Sequence, residues 1–467
     1  MVHCRPLTEL ADLLAAPATR LRRRIVEADR RPLPYLELPF VVPSGVRALR
    51  IHVRYDDPGD ADRVDGRTVL DLGLLGPASP AHPDAGRGHT FRGWSGSERS
   101  QLLVGENTAT PGYRPGAIDS GDWAILLGLY RVATGGSTVE VTIEPLLVEP
   151  ATDEYVTRLP RMDRLPIPPS TLATGGRWIA ADLHAHSLHS DGQETIHDLD
   201  RRRRQAGIEV QFLTDHNTDA HHPEVGETPG ILPGEEITTY GGHLNALGAR
   251  GWIDFRVRDA LGMASMIGRI HAAGGLASIN HPLDRDCGWT FGDDLLVDAV
   301  EVWNGPWSTD DDAAIAWWEG LLATGRRVVA VGGSDTHGPA GTEHPAGTPT
   351  TWVEADGTDL ATVVAAIRAG RVALTRDPSI PPPMLAVEDS GHGPSIRWRI
   401  RQLATASARL IVDGAVAEAW AVDGPDAAGS WPLRVAGRHP DHVRLEIRAE
   451  DGALLAMTNP VRPKEER

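Results

Sequence analysis

Between residues 33 and 150 the chain alternates apolar and polar positions with the two-residue period of half-buried strands, in YLELPFVV, VRALRIHVRYD, TVLDLGLL, WAILLGLYRV and STVEVTIEPLLV. Connections rich in glycine and proline, such as GPASPAHPDAGRGH and TATPGYRPGAIDSGD, separate these runs. Strands with no helices between them predict a β-sandwich-like domain over 33–160, preceded by a helical segment over 1–32. The stretch RLPRMDRLPIPPSTLATGG then reads as a linker.

After the linker the rhythm changes. Short apolar runs (RWIAADLH, IEVQFLTDH, LNALG, GLASINHP, AVEVWN, RVVAVGGSD and TTWVEA) alternate with stretches of helical period around 194–206, 258–273, 310–324 and 358–369. That alternation predicts βα units around a parallel sheet over 177–378, a length suited to a barrel. From 379 to 467, PSIRWRIRQL, SARLIVDG and HVRLEIRAED return to the strand period and predict a small C-terminal β-domain.

Composition narrows the function classes. Lys and Arg number 46 against 64 Asp and Glu, a formal charge of −18, which opposes binding to nucleic acid or to an anionic membrane. No apolar run reaches membrane-spanning length, and the basic RLRRR follows the first apolar stretch, the reverse of a secretory signal. The two cysteines, Cys4 and Cys287, lie far apart, so no disulfide framework is implied and a reducing, cytoplasmic compartment is expected.

The stretch ADLHAHSLHSDG, residues 181–192, holds three histidines and two aspartates. In a chain with 19 histidines a His-x-His pair arises by chance, so His184 and His186 mean little alone. What singles them out is the company of other donors at the ends of later strands, where the reactive side chains of a parallel βα fold converge. Asp191 follows in the same loop, VQFLTDH ends in Asp215 and His216, and LPGEEITT carries Glu235 and Glu236. GGHLNALG opens with His243, LASINHP ends in His281, VEVWN in Asn304, and VVAVGGSDTH in Asp335 and His337. Imidazole and carboxylate together suit Zn, Mn or Fe, whereas Ca and Mg rarely take histidine. The donors exceed the needs of one ion and imply two or three, sharing a carboxylate. Clustered ions lower the pKa of water and polarise the electrophile that it attacks.

In this order, HAHSLHSDG, TDHN, GEEIT with GGH, NHP and GSDTH resemble the successive motifs of the PHP (polymerase and histidinol phosphatase) superfamily of metallohydrolases, over roughly residues 177–378. The wording EITTYGGHLNALG and EVWNG, with FRGWSGSERS and TPGYRP upstream, resembles its carbaryl-hydrolase-like (CehA/McbA) branch. The resemblance implies an α/β fold, a distorted (β/α)7 barrel holding two or three divalent ions. It implies one site built from His184, His186, Glu236 and Asp335, a second adding His243 and His281 to Glu236 as bridge, and a third of Asp191, His216 and His337. Glu236 is preferred to Glu235 because it directly precedes Ile-Thr, and the two-residue period of a strand turns the two side chains to opposite faces.

The implied activity is hydrolysis of a small-molecule substrate, a phosphoester first and an aryl ester or carbamate second, with Asp335 and Asp191 as catalytic carboxylates. A catalytically silent metal-binding module is the remaining alternative. Asn304 and Arg371 are expected to touch substrate, and Asp215 to orient a ligand histidine. His189 fits no ligand position and reads as a loop residue. Cys287, with no second cysteine beside it, reads as a buried thiol.

Overall fold

The computed structural model describes residues 16–31, 33–56, 67–78, 89–150, 157–158, 177–339, 344–389, 394–401, 406–422, 424, 426–432 and 440–463. Two antiparallel sheets form the N-terminal part. Six strands run in the order Thr19–Ile25, Ser137–Leu146, Ala48–Tyr55, Gln101–Gly105, Thr108–Ala109 and Thr157–Arg158. Four run in the order Tyr35–Val42, Gly121–Arg131, Val69–Pro77 and His89–Trp94. Ile51 and Val53 of the first sheet share a core with Leu72, Ile125 and Leu127 of the second. Along Gly121–Arg131 the strand period divides the side chains, since Ala124 and Leu126 join the core of the middle region instead. That strand is buried on both faces, which explains why WAILLGL carries no charge.

The helical segment expected over 1–32 is corrected where it is described. Thr19–Ile25 is a strand paired with Ser137–Leu146, while residues 1–15 lie outside the described residues.

The middle region is not a (β/α)7 barrel. Its strands belong to two open sheets, and strand outweighs helix among the described residues, 43% against 15%. One sheet has nine strands in the order Ile231–Pro233, Val210–Leu213, Arg177–Asp182, Thr350–Ala355, Val372–Thr375, Leu454–Thr458, Val443–Arg448, Ala406–Val412 and Ala415–Val422. The other has five, Glu236–Thr239, Gly242–Leu247, Leu276–Ile279, Ala299–Asn304 and Val329–Gly333. Isolated bridges, Ala185 to Thr336 and His216 to Glu236, link the two sheets.

Two features break the expected alternation. Glu236–Thr239 and Gly242–Leu247 pair antiparallel through a tight turn, and Gly242, at φ 125°, supplies the reversal that a side chain would resist. Thr350–Ala355 runs antiparallel to Arg177–Asp182. Parallel pairing survives only where a longer crossover separates the strands, as from Leu276–Ile279 to Ala299–Asn304 to Val329–Gly333.

The C-terminal strands continue the sheet of the middle region, since Leu454–Thr458 is hydrogen-bonded to Val372–Thr375 and extends the nine-stranded sheet. Only Met384–Asp389, Pro394–Arg401 and Asp426–Pro432 form a sheet of their own. The four longer helices, Ile196–Ala206, Ala260–Ala272, Thr309–Ala323 and Leu360–Arg368, each begin on a Thr, Asp or Ser whose side chain accepts a first-turn N–H. Among the described residues no helix is long and apolar enough to cross a membrane.

Candidate metal centre

Glu236 is the hub of a buried cluster. Its Oε2 lies 3.3 Å from His184 Nε2, 3.5 Å from His186 Nε2 and 2.8 Å from His216 Nδ1. Its Oε1 lies 3.1 Å from His243 Nδ1 and 3.3 Å from His281 Nε2, and accepts the Asn280 side-chain N–H at 2.8 Å. One carboxylate, 1% exposed, therefore faces five imidazoles drawn from four separate segments. Burial alone would raise its pKa, but His184, His216 and His243 hold it well below the usual carboxylate range.

Two further carboxylates flank it. Asp335 Oδ1 is 3.0 Å from His186 Nε2 and 3.3 Å from His184 Nε2. Asp191 stands 3.4 Å from His216 Nε2 and 3.3 Å from His337 Nε2. The donors form overlapping groups within 4.8 Å, among them His184 with His186 and Glu236, and His186 with Asp191, His216 and His337. His186 and His216 thus face two groups each, where the sequence assigns each of them one. Burial opposes charging His184, yet Asp335, Glu301 and Glu236 raise it well above its ordinary value. Asp191 and Glu236 likewise raise His216 against its burial. Burial, with His337 and His216 nearby, lowers His186 to about 4.

The cluster fits divalent cations. His184 Nε2 and Asp191 Oδ1 are buried without a hydrogen-bond partner, although counter-groups stand 3.3 Å away. Lone pairs that converge without a hydrogen bond between them are what an ion satisfies, and an N/O donor set of this kind suits Zn, Mn or Fe.

Supporting groups fix the donors, and several were missed from sequence. Glu301 Oε1 accepts from His184 Nδ1 at 3.0 Å, which turns His184 Nε2 toward Glu236 and Asp335. Glu301 Oε2 accepts from the His281 backbone N–H and the Asn304 side chain. The available signal was a charge at the end of an apolar parallel strand, where burial demands a partner. Asp182 receives Ser334 N–H at 2.9 Å and Ser334 Oγ at 2.7 Å, tying the first strand of the region to the segment that carries Asp335. Asn217, His281 and Asp335 all have positive φ, at 53°, 23° and 51°. Three of the four non-glycine residues so recorded sit at this cluster, a concentration of strain typical of working sites. Replacing Glu301 by Gln removes the negative charge and one of the two acceptor oxygens that hold His184 and the His281 backbone, and metal affinity should fall about 10- to 100-fold with the fold intact. Competition against a chelator of known affinity, alongside the melting curve, checks this.

Other expectations are redistributed. Asp215 does not touch a ligand histidine directly. It accepts from Ser187 N–H, Ser187 Oγ and Ser190 Oγ at 2.7 to 2.8 Å, and so pins the turn after His186. His189 is fully buried and its Nδ1 accepts the Gly112 N–H at 3.3 Å. Cys287 stands closer to the cluster than expected, its Sγ 3.5 Å from His281 Nδ1, at the rim. Asn304 is at the site, its Nδ2 3.4 Å from Asp335 Oδ2. Arg371 is not: it donates to the Glu354 carbonyl and lies by Trp178 and Val329, at the opposite ends of the strands that carry His184 and Asp335. It precedes a strand antiparallel to its neighbour, so the loop that holds it emerges on the far side.

Glu235 and Glu236 do face opposite ways. Glu235 Oε2 accepts the Ile253 N–H at 3.2 Å, and its Oε1 is buried without a partner. Burial, reinforced by Asp219, pushes its carboxyl well above the ordinary range, so folding favours the protonated form. That contribution is complete below the unfolded carboxylate pKa and is lost as pH rises toward the folded value. Glu235→Gln mimics the protonated acid, and its stability advantage should grow as pH rises from 5.5 toward the raised value of the folded carboxyl, by at most about 1.4 kcal/mol per pH unit. Thermal unfolding of both proteins across that range measures it, and a constant difference would contradict the assignment.

No protein-family model matches the chain, and no curated protein matches it. Among solved structures, it is similar to a two-domain protein from Bacteroides vulgatus that contains a predicted PHP-like metal-dependent phosphoesterase. The two are 16% identical, with 65% of this chain and 100% of the other covered, at a TM-score of 0.39. A protein from Bifidobacterium adolescentis named as a metal-dependent phosphoesterase is 17% identical, covering 36% of this chain and 90% of its own, at 0.28. An amidohydrolase from Chromobacterium violaceum, solved with sulfate and no metal, is 20% identical over 41% of this chain and 96% of its own, also at 0.28. Likeness of this degree leaves function to be read from the site itself.

Proposed function

We propose that the chain is a metal-dependent hydrolase of the PHP kind, acting on a phosphoester of a small molecule through a centre of two or three Zn, Mn or Fe ions. The observation that carries this is the Glu236 carboxylate facing five imidazoles, with Asp191 and Asp335 on either side. The recorded ion-pair partners of these three carboxylates are all histidines, so an anionic substrate needs cations to offset them. Ions held there supply the Lewis acidity that activates water and polarises the electrophile.

The protein's own groups divide the remaining work. Glu236, His184, His186, His243 and His281 would hold one pair of positions, and Asp191, His216 and His337 a third. Asp335, held well below the carboxylate range by His184 and His186 despite its burial, is ionised at neutral pH and takes up a proton at its Oδ2, the oxygen turned to Asn304. Asn304 also donates to Glu301, which holds its amide between Glu301 and Asp335.

The motifs in the FRGWSGSERS and TPGYRP segments support a second reading, hydrolysis of an aryl ester or carbamate at the same centre. A panel of aryl phosphates, phosphodiesters, aryl esters and an aryl carbamate, with and without added Mn or Zn, separates them. The expected result is turnover of a phosphoester, abolished by chelation and restored by metal. Turnover confined to the carbonyl substrates would move the assignment to the second reading, and activity that survives chelation would overturn both.

A further inference from the structure

Arg371, which the metal centre does not use, lines a cleft of about 440 Å³ at the opposite end of the middle region. That volume falls in the range of small-molecule sites, roughly 300 to 1,000 Å³. Three adjacent strands build its floor. Trp178 is directly opposite Glu354 in one antiparallel pair, and Arg371 hydrogen-bonds to the Glu354 backbone from the next. Side chains directly opposite one another project from the same face of a sheet, so Trp178, Glu354 and Arg371 share one wall. Arg327, Arg368 and Arg462 complete the charged lining.

Among the described residues four guanidiniums and the carboxylate of Glu354 line the cleft, on a chain whose formal charge is −18, and Arg327 has a further partner of its own. Arg368 is partly neutralised, 3.3 Å from Asp298. Arg371 and Arg462 have only backbone carbonyls as recorded hydrogen-bond partners, Glu354 O and Arg326 O, and no carboxylate pairs with either among the described residues. Each has more guanidinium N–H donors than those bonds use, and like charges gathered around a cavity repel unless an anion joins them.

We propose that this cleft is a second ligand site, separate from the metal centre, for a small solute carrying a phosphate group, with Arg371 and Arg462 binding the phosphate and Trp178 forming the wall for whatever it is attached to. The strands Arg177–Asp182 and Val329–Gly333 each reach from this cleft to the metal cluster, a span of about 15 to 20 Å at the usual rise per residue. The two sites therefore cannot share one phosphate.

The test is titration of the full chain, followed by thermal unfolding and by calorimetry, with inorganic phosphate and in parallel with adenosine 5′-monophosphate. Both are run with metal removed and with metal restored, and sodium chloride at matched ionic strength is the control. Saturable binding of at least one probe is expected in the metal-free protein, where the cluster has no cations to attract phosphate. Tighter binding of the nucleotide would identify an organic phosphate as the ligand, and equal binding the free anion. Arg371→Gln combined with Arg462→Gln should weaken this binding by about tenfold or more, as expected when two charge-assisted contacts are lost. Metal-dependent turnover should be unchanged in that variant. If the double variant folds poorly, Arg462→Gln alone should still weaken binding. No binding of either probe, binding that requires the metal, or binding indifferent to both arginines would overturn the proposal.

Discussion

Glu236→Gln is expected to abolish hydrolysis and to lower metal affinity by far more than the 10- to 100-fold typical of an outer-shell group. The substitution conserves shape and keeps one oxygen. What it removes is the negative charge that five imidazoles surround within 3.5 Å. With that charge gone, His184 and His216 lose one of the carboxylates that raise them, and two cations would sit close together with no anion between them. Two readouts are needed. Turnover should be undetectable at metal concentrations that saturate the native protein, and the unliganded melting temperature should fall as well, since His184 and His216 lose a buried counter-charge. The adjacent Glu235→Gln is the control, because that carboxyl faces Ile253 and not the cluster. Equal damage from the two substitutions would contradict the role given to Glu236.

Arg114→Ala is expected to destabilise the protein by about 3 kcal/mol or more, the usual cost of leaving one partner of a buried ion pair unmatched. Arg114, on the segment after Tyr113, donates through Nε to Asp219 Oδ1 at 2.7 Å and through Nη2 to the other oxygen. Its guanidinium also lies over the Phe91 ring, 5.5 Å from the centroid. Asp219 is 8% exposed, and it sits three residues beyond His216. The pair thus joins the N-terminal sheets to a loop of the metal cluster. It has company, since Arg99 donates to the carbonyls of Leu188 and Ser190, and Thr218 Oγ1 donates to Gly112 O at 2.9 Å. Loss of Arg114 should therefore lower both the melting temperature and activity. Arg114→Ala with Asp219→Asn should recover part of the stability, because the larger penalty is the stranded carboxylate. A double variant no more stable than the single one would mean that packing on Phe91, rather than charge, is what Arg114 supplies.

How far the sequence could be read differs by level. The four long helices lie where the apolar period changes from two to 3.6. Local pattern carries that information. The placement of His184, His216, His281 and Asp335 at strand ends is also local, and the alternation that separates Glu235 from Glu236 follows from strand geometry alone. Closure of the sheet is not local. The antiparallel pairing of Thr350–Ala355 with Arg177–Asp182 joins segments about 170 residues apart, and an apolar strand looks the same whichever way its partner runs. The same limit misplaced Arg371, whose side of the sheet depends on strand direction. Glu301 was passed over because a single charge in VEVWN has no spacing to mark it, and Arg114 because its partner lies 105 positions away. Strand direction and distant pairing were the missing information in each case.

The central claim is that the cluster around Glu236 holds metal ions. The most direct measurement is the metal content of the protein after stripping, reconstitution with Zn or Mn, and removal of excess ion. Two to three equivalents per chain are predicted for the native protein, falling by at least one in Glu236→Gln and unchanged in Arg371→Gln. Less than one equivalent in the native protein, or a content indifferent to Glu236, would contradict the account.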